Sequence, residues 1–102
     1  MPTLDELLGR PEYSRPRLAD HYFSLIEPNH ENVLTAHAEI EGMAEIGWFR
    51  GFLRAARERQ LRFTRLDHVA ATVLQQPDLV PVCLLTDGRI DGRSGTLATQ
   101  HC

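Results

Sequence analysis

Residues Leu34 to Gly42, "LTAHAEIEG", alternate more strictly than any other part of the chain. Leu34, Ala36, Ala38 and Ile40 are apolar, Thr35, His37, Glu39 and Glu41 between them are polar or charged, and Gly42 closes the run. A period of two is that of a strand with two unlike faces. One face would pack, and the other would carry a hydroxyl, an imidazole and two carboxylates in a row. Such a row is either a solvated strand face or the floor of a catalytic pocket.

The flanking segments decide what kind of sheet this strand would join. Upstream, Thr3 with Glu6 three residues on has the pattern of a capping box for a short helix that Gly9 ends. "SRPRLADHYFSLIEPN" reads as a second helix, with Pro16 in its first turn and Pro28 stopping it. Downstream, Ile46, Phe49, Leu53 and Ala56 form an apolar stripe of a longer helix, with Arg50, Arg54, Arg57 and Glu58 turned toward water. "LRFTRL", Leu61 to Leu66, alternates again as a second strand, and Asp67 is placed to cap a short helix through Val69 and Val73.

Helix, strand, helix, strand, helix predicts an α/β fold with a parallel sheet, because parallel neighbours need crossovers of this length. A parallel strand covered on both sides should be apolar on both faces, which "LTAHAEIEG" is not. In a βα barrel, however, one strand face meets the outer helices and the other looks into the barrel. A complete eight-unit barrel takes roughly 250 residues, and two such strands cannot close one. Residues 78–102 form a separate tail, with a hairpin at Asp87-Gly88 as one option.

Composition bounds the rest. The chain has 102 residues, enough for one small domain. Its net charge is -3 and its 11 basic residues are spread along the sequence, which excludes a basic stripe for a nucleic-acid backbone. Cys83 and Cys102 belong to no CxxC pair, so a reducing compartment is the simpler expectation. No run approaches the ~18 apolar residues of a membrane helix, and the N-terminus lacks signal-peptide character.

Four segments, "MPTLDELLGR", "LTAHAEIEG", "FRGFLRAARERQLRFTRLDHV" and "DGRIDGRSG", together resemble, in order, the C-terminal part of the bacterial 4-deoxy-4-formamido-L-arabinose-phosphoundecaprenol deformylases of the polysaccharide deacetylase superfamily. The resemblance implies the last third or so of a distorted βα barrel, with 1–77 as its C-terminal portion. It implies an enzyme of the bacterial cytoplasm or inner-membrane periphery, which removes the formyl group from an undecaprenyl-phosphate-linked amino sugar in lipid A modification and cationic peptide resistance. Such enzymes use a divalent metal (zinc, cobalt or manganese) held by an aspartate and two histidines, an aspartate base, and a late histidine as general acid. Only the last has a match here, at His37. The metal-ligand motifs have none, so the isolated chain is expected to be inactive, and its unpaired edges to favour self-association or peripheral membrane contact.

A histidine suits that position because amide hydrolysis expels an amine, a poor leaving group until protonated, and imidazole exchanges protons near neutral pH. Glu39 and Glu41 would orient the imidazole or bind sugar hydroxyls, with a solvated face as the alternative for each. A metal site from His37, Glu39 and Glu41 is awkward, since same-face strand residues lie nearly ~7 Å apart. His21, His30, His68 and His101 read as surface residues, and Trp48 and Phe52 as core. Two other readings stay open: a deacetylase of another N-acylated sugar, and a small non-catalytic α/β module that binds a partner through apolar surface.

Overall fold

Thr3 and Glu6 begin the first helix as their spacing predicts. In the computed structural model, which describes residues 1–102, the Thr3 backbone N–H and hydroxyl both donate to the Glu6 carboxylate, at 2.9 and 3.1 Å. This caps α1 (Leu4–Leu7). Gly9, at φ +78°, turns the chain away in the left-handed conformation that glycine adopts without strain. A 3-10 turn at Arg15–Arg17, with Pro16 inside it, leads into α2 (Leu18–Ser24).

The core forms where α1 and α2 meet α3 (Ile46–Glu58). Leu4, Leu7, Leu18, Tyr22 and Phe52 are buried together. Phe52 is the hub, with Trp48 stacked on it at 5.4 Å between ring centroids, Phe23 at 5.2 Å, and Tyr22 edge-on at 5.7 Å. The inward face of α3 thus keeps Ala56, Phe49 and Leu53 of the expected stripe, adds Phe52, and leaves out Ile46. Phe49 and Leu53 are half-buried and Ile46 is 41% exposed. The aromatic rings of α2 cover Phe52, which widens the buried face by one residue.

Neither alternating segment is a strand. Residues 31–37 and 61–65 have no regular structure, and Ile40–Ala44 is a π-helical turn that leads into α3. A strand is completed only by a neighbour's backbone groups, and no strand lies beside either segment. The sole sheet is a two-stranded antiparallel one elsewhere. The expected parallel sheet is therefore not formed in this chain, although the mixture of helix and strand is.

After residue 60 the packing thins. α4 (Leu66–Gln75) forms where expected but buries none of its residues. Its N-cap is Arg65 rather than Asp67, which sits in the first turn and accepts the His68 N–H at 3.0 Å. The tail forms the hairpin, with β1 (Leu84–Gly88) antiparallel to β2 (Leu97–His101) and Thr86 opposite Thr99. The turn does not fall at Asp87-Gly88. Gly88 ends β1, where an added Cβ would lie 2.5 Å from the Thr99 side chain. The chain reverses instead around Asp91-Gly92-Arg93, with Gly92 at φ +86°. Gly92 is buried against Leu7 and Pro2, so this loop closes over α1. Arg93 donates to the Met1 carbonyl at 3.3 Å, and the Ser94 N–H donates to Glu6 at 3.3 Å.

A disulfide joins Cys83 to Cys102 just outside the paired strands. This runs against the reducing compartment expected from the sequence. The two cysteines lie 19 positions apart in sequence, and only the hairpin brings them together.

The chain as a whole is loosely filled. Its accessible surface is 8037 Å², against about 5,800 Å² for a compact monomer of its mass. The radius of gyration is 15.3 Å, against about 13 Å for a compact domain of this length. Leu66, Leu74, Leu79, Val82, Leu84 and Leu85 are each more than half exposed. The irregular segments line a cleft of about 450 Å³, with Leu34 and Ala36 from one, Leu61 and Phe63 from the other, and Phe49 and Leu53 from α3.

Candidate functional site

His37 begins a tight turn. Its carbonyl accepts N–H groups from Ile40, Glu41 and Gly42 at 3.1, 3.0 and 3.4 Å, and the five-residue spacing recurs from Ala44 to Glu39 and from Glu45 to Ile40. This widened winding gathers the chain under α3, as π-turns do at many functional positions. The Glu41 carboxylate reaches back and accepts the His37 backbone N–H at 2.8 Å. Glu41 is only 2% exposed, so that bond partly satisfies a charge that burial would otherwise penalise.

The turn also ends the alternation. His37, Glu39 and Glu41 would share one face of a strand, but here Glu41 is buried beneath the turn and Glu39 is exposed on its outside. His37 and Glu41 are brought together through the backbone, and Glu39 is left apart.

Two residues that sequence reasoning passed over complete the site. Asp5, in the first turn of α1, places Oδ1 3.6 Å from His37 Nδ1, an ion-pair distance slightly beyond a hydrogen bond. That nitrogen is covered from solvent and has no hydrogen-bond partner. The His37 side chain is still 38% exposed, so its accessible part is the remainder of the ring. Tyr22 comes from α2, fully buried, and its hydroxyl is also without a partner. Burial, followed by the nearby charges of Glu41, Asp5 and Glu6, pushes its ionisation well above the ordinary tyrosine value, so it stays a neutral donor.

The site is therefore an imidazole with one covered nitrogen facing a carboxylate, beside a buried carboxylate and an uncommitted phenol. Such a set can hold and reorient a proton. Asp5 carries no signal beyond its place inside a capped helix, and Tyr22 none beyond its place in the second helix. Only tertiary packing joins them to His37.

His21 is half-buried rather than a surface residue. Its ring lies 4.7 Å from that of Tyr13, and its Nε2 is buried without a partner. His30 borders the cleft, while His68 and His101 are exposed. The resemblance implies a divalent metal, but the residues present do not fit one. No three His, Cys, Asp or Glu side chains converge in a geometry that could hold an ion.

No family model matches the chain, and no solved structure matches it significantly. Among curated proteins it is similar to the "Probable 4-deoxy-4-formamido-L-arabinose-phosphoundecaprenol deformylase ArnD" of Shewanella sediminis, with 30% identity over 101 residues. The aligned region takes in 98% of this chain and 32% of that protein. The resemblance carried by the four motifs is thus borne out, as a likeness between this chain and about a third of a deformylase.

Proposed function

We propose that this chain is a portion of a metal-dependent amide hydrolase. It would contribute the proton-donating side of the site that removes the formyl group from a lipid-linked 4-formamido-arabinose, as the name of its Shewanella relative describes. The observation that carries this reading is the covered Nδ1 of His37 facing Asp5 beside buried Glu41 and Tyr22. The open part of the imidazole protonates the departing amine as the carbon–nitrogen bond breaks. Asp5 sets the ring's orientation, and Glu41 fixes the turn that presents it. The attacking water, the metal and its ligands come from polypeptide outside these residues, and the exposed Glu39 is left to meet sugar hydroxyls.

In this reading 1–77 is the barrel portion, and the irregular segments 31–37 and 61–65 become strands when further barrel polypeptide pairs with them. Residues 78–102 are a tail whose hairpin sets Cys83 beside Cys102, a pair that a cytoplasmic enzyme would hold as thiols. The enzyme would work in the bacterial cytoplasm or at the inner-membrane periphery, in the lipid A modification that resists cationic peptides. No helix is long and apolar enough to cross a membrane.

A chimera in which this chain replaces the aligned third of the Shewanella protein tests the reading. Release of formate from a formamido sugar supports it, and a folded chimera with no such release, or with preference for an N-acetyl sugar, refutes it. The cleft of about 450 Å³ favours one second reading, an interaction module that takes a partner's apolar segment. In either case the isolated chain self-associates. A sharp monomer peak in size-exclusion chromatography contradicts both.

A further inference from the structure

More than half of the chain's arginines fall in one segment, which corrects the even spread expected above. Residues 46–65 carry six arginines against one glutamate, Glu58, in a chain whose net charge is -3, so the remainder is strongly acidic. Arg59 pairs with Asp20 and Arg65 with Asp67, whereas Arg50, Arg54 and Arg57 are exposed and have no ion-pair partner. Steps of four, four and three residues place Ile46, Arg50, Arg54 and Arg57 along one face of α3, away from buried Phe52 and Ala56. Met43 just before the helix is 72% exposed and Ile46 41%. Phe49 and Leu53, adjacent around the helix, line the apolar cleft. One face therefore joins three free guanidinium groups to exposed aliphatic side chains.

We propose that this face of α3 docks the protein on an anionic lipid surface, with Arg50, Arg54 and Arg57 on phosphate-bearing headgroups and Met43 and Ile46 in the interface. Guanidinium groups bind phosphate oxygens in pairs, and flanking apolar side chains supply the burial that distinguishes a lipid surface from a free ion. A nucleic acid fits less well. The side chains beside Arg50, Arg54 and Arg57 at the start of the face are aliphatic, Met43 and Ile46, and the acidic remainder of the chain opposes a long polyanion. The proposal rests on the inner-membrane location proposed above and assigns it to one face. Because binding alone reports it, its failure is distinguishable from failure of the hydrolase reading.

Flotation of the full chain with phosphatidylcholine vesicles, with and without phosphatidylglycerol, tests it. The chain should float with the anionic vesicles only, and less so as salt rises. Replacing Arg50, Arg54 and Arg57 together with glutamine should weaken binding roughly 100-fold, and Ile46→Ser by a smaller factor. Arg15→Gln, which removes an arginine already paired with Glu45, should leave binding unchanged. Circular dichroism confirms that each variant keeps its helices. Full binding by the triple variant, equal binding to neutral vesicles, displacement by millimolar inorganic phosphate, or tighter binding to single-stranded RNA than to vesicles would each overturn it.

Discussion

Residues 1–60 and 61–102 were built by different means. The first region encloses Leu4, Leu7, Leu18, Tyr22, Phe52 and Ala56 behind a capped helix and a ring of stacked aromatics. The second contributes one buried residue, Gly92, and is held by a β-ladder, a disulfide and a loop tied to α1. One region is stabilised by removing apolar surface from water, and the other by crosslinks between segments that remain wet. The putting-aside of apolar surface stops where the two irregular segments border the open cleft. The imidazole site lies wholly on the packed side, where orientation can be enforced.

If that contrast is right, core substitutions should be severe in the first region and nearly silent in the second. Leu18→Ala should cost about 2–5 kcal/mol, enough to melt α1, α2 and α3 together in far-ultraviolet circular dichroism. Gly92→Ala attacks the join between regions, since its Cβ would come 2.6 Å from Leu7 at a φ of +86°. A cost of about 1–3 kcal/mol is expected, and hydrogen exchange should quicken at residues 1–10 as well as in the loop. Glu41→Ala should cost a similar or smaller amount, about 1–3 kcal/mol, by leaving the partly buried His37 N–H unpaired and a hole where the buried side chain was. Loss of exchange protection centred on residues 37–45 checks it.

Acid offers a gentler probe of the same join. The Thr3 backbone N–H, with help from Ser94 and Arg93, holds the Glu6 carboxyl below its ordinary 4.5. A carboxyl lowered by folding contributes stability above its unfolded value and loses it as pH falls through the folded one. The helix cap and the loop over α1 should therefore loosen together below about pH 4.5, and Glu6→Gln should abolish that step in a pH titration followed by exchange. At the small end, Leu74→Ala should change stability by less than ~0.5 kcal/mol, because Leu74 is 76% exposed. A loss comparable to that of Leu18→Ala would show that the second region has a core of its own.

The helices were legible because their signals are local. Thr3 and Glu6 cap each other within one turn, Pro16 sits where a first turn tolerates it, and the aromatic spacing of α3 needs no distant information. The strands at 34–42 and 61–66 were misread because alternation states only which faces a strand would have. Without a neighbouring ladder, Glu41 bonds to His37 and winds the segment into a turn. The disulfide escaped notice because nothing in the spacing of Cys83 and Cys102 marks them as partners until the hairpin forms. For the site, His37 and Glu41 stood out by pattern. Asp5 and Tyr22 join them only through the packing of α1 and α2.

The central claim is that His37, held by Asp5 and Glu41, donates the proton that releases the amine. Steady-state deformylation by the chimera with the Shewanella protein, compared between His37 and His37→Ala, measures it most directly. The account predicts a fall in turnover of about 10²- to 10⁴-fold with an unchanged melting temperature, and a smaller fall for Asp5→Asn. Full activity in the His37→Ala chimera would contradict it and leave the imidazole as a structural feature of the turn.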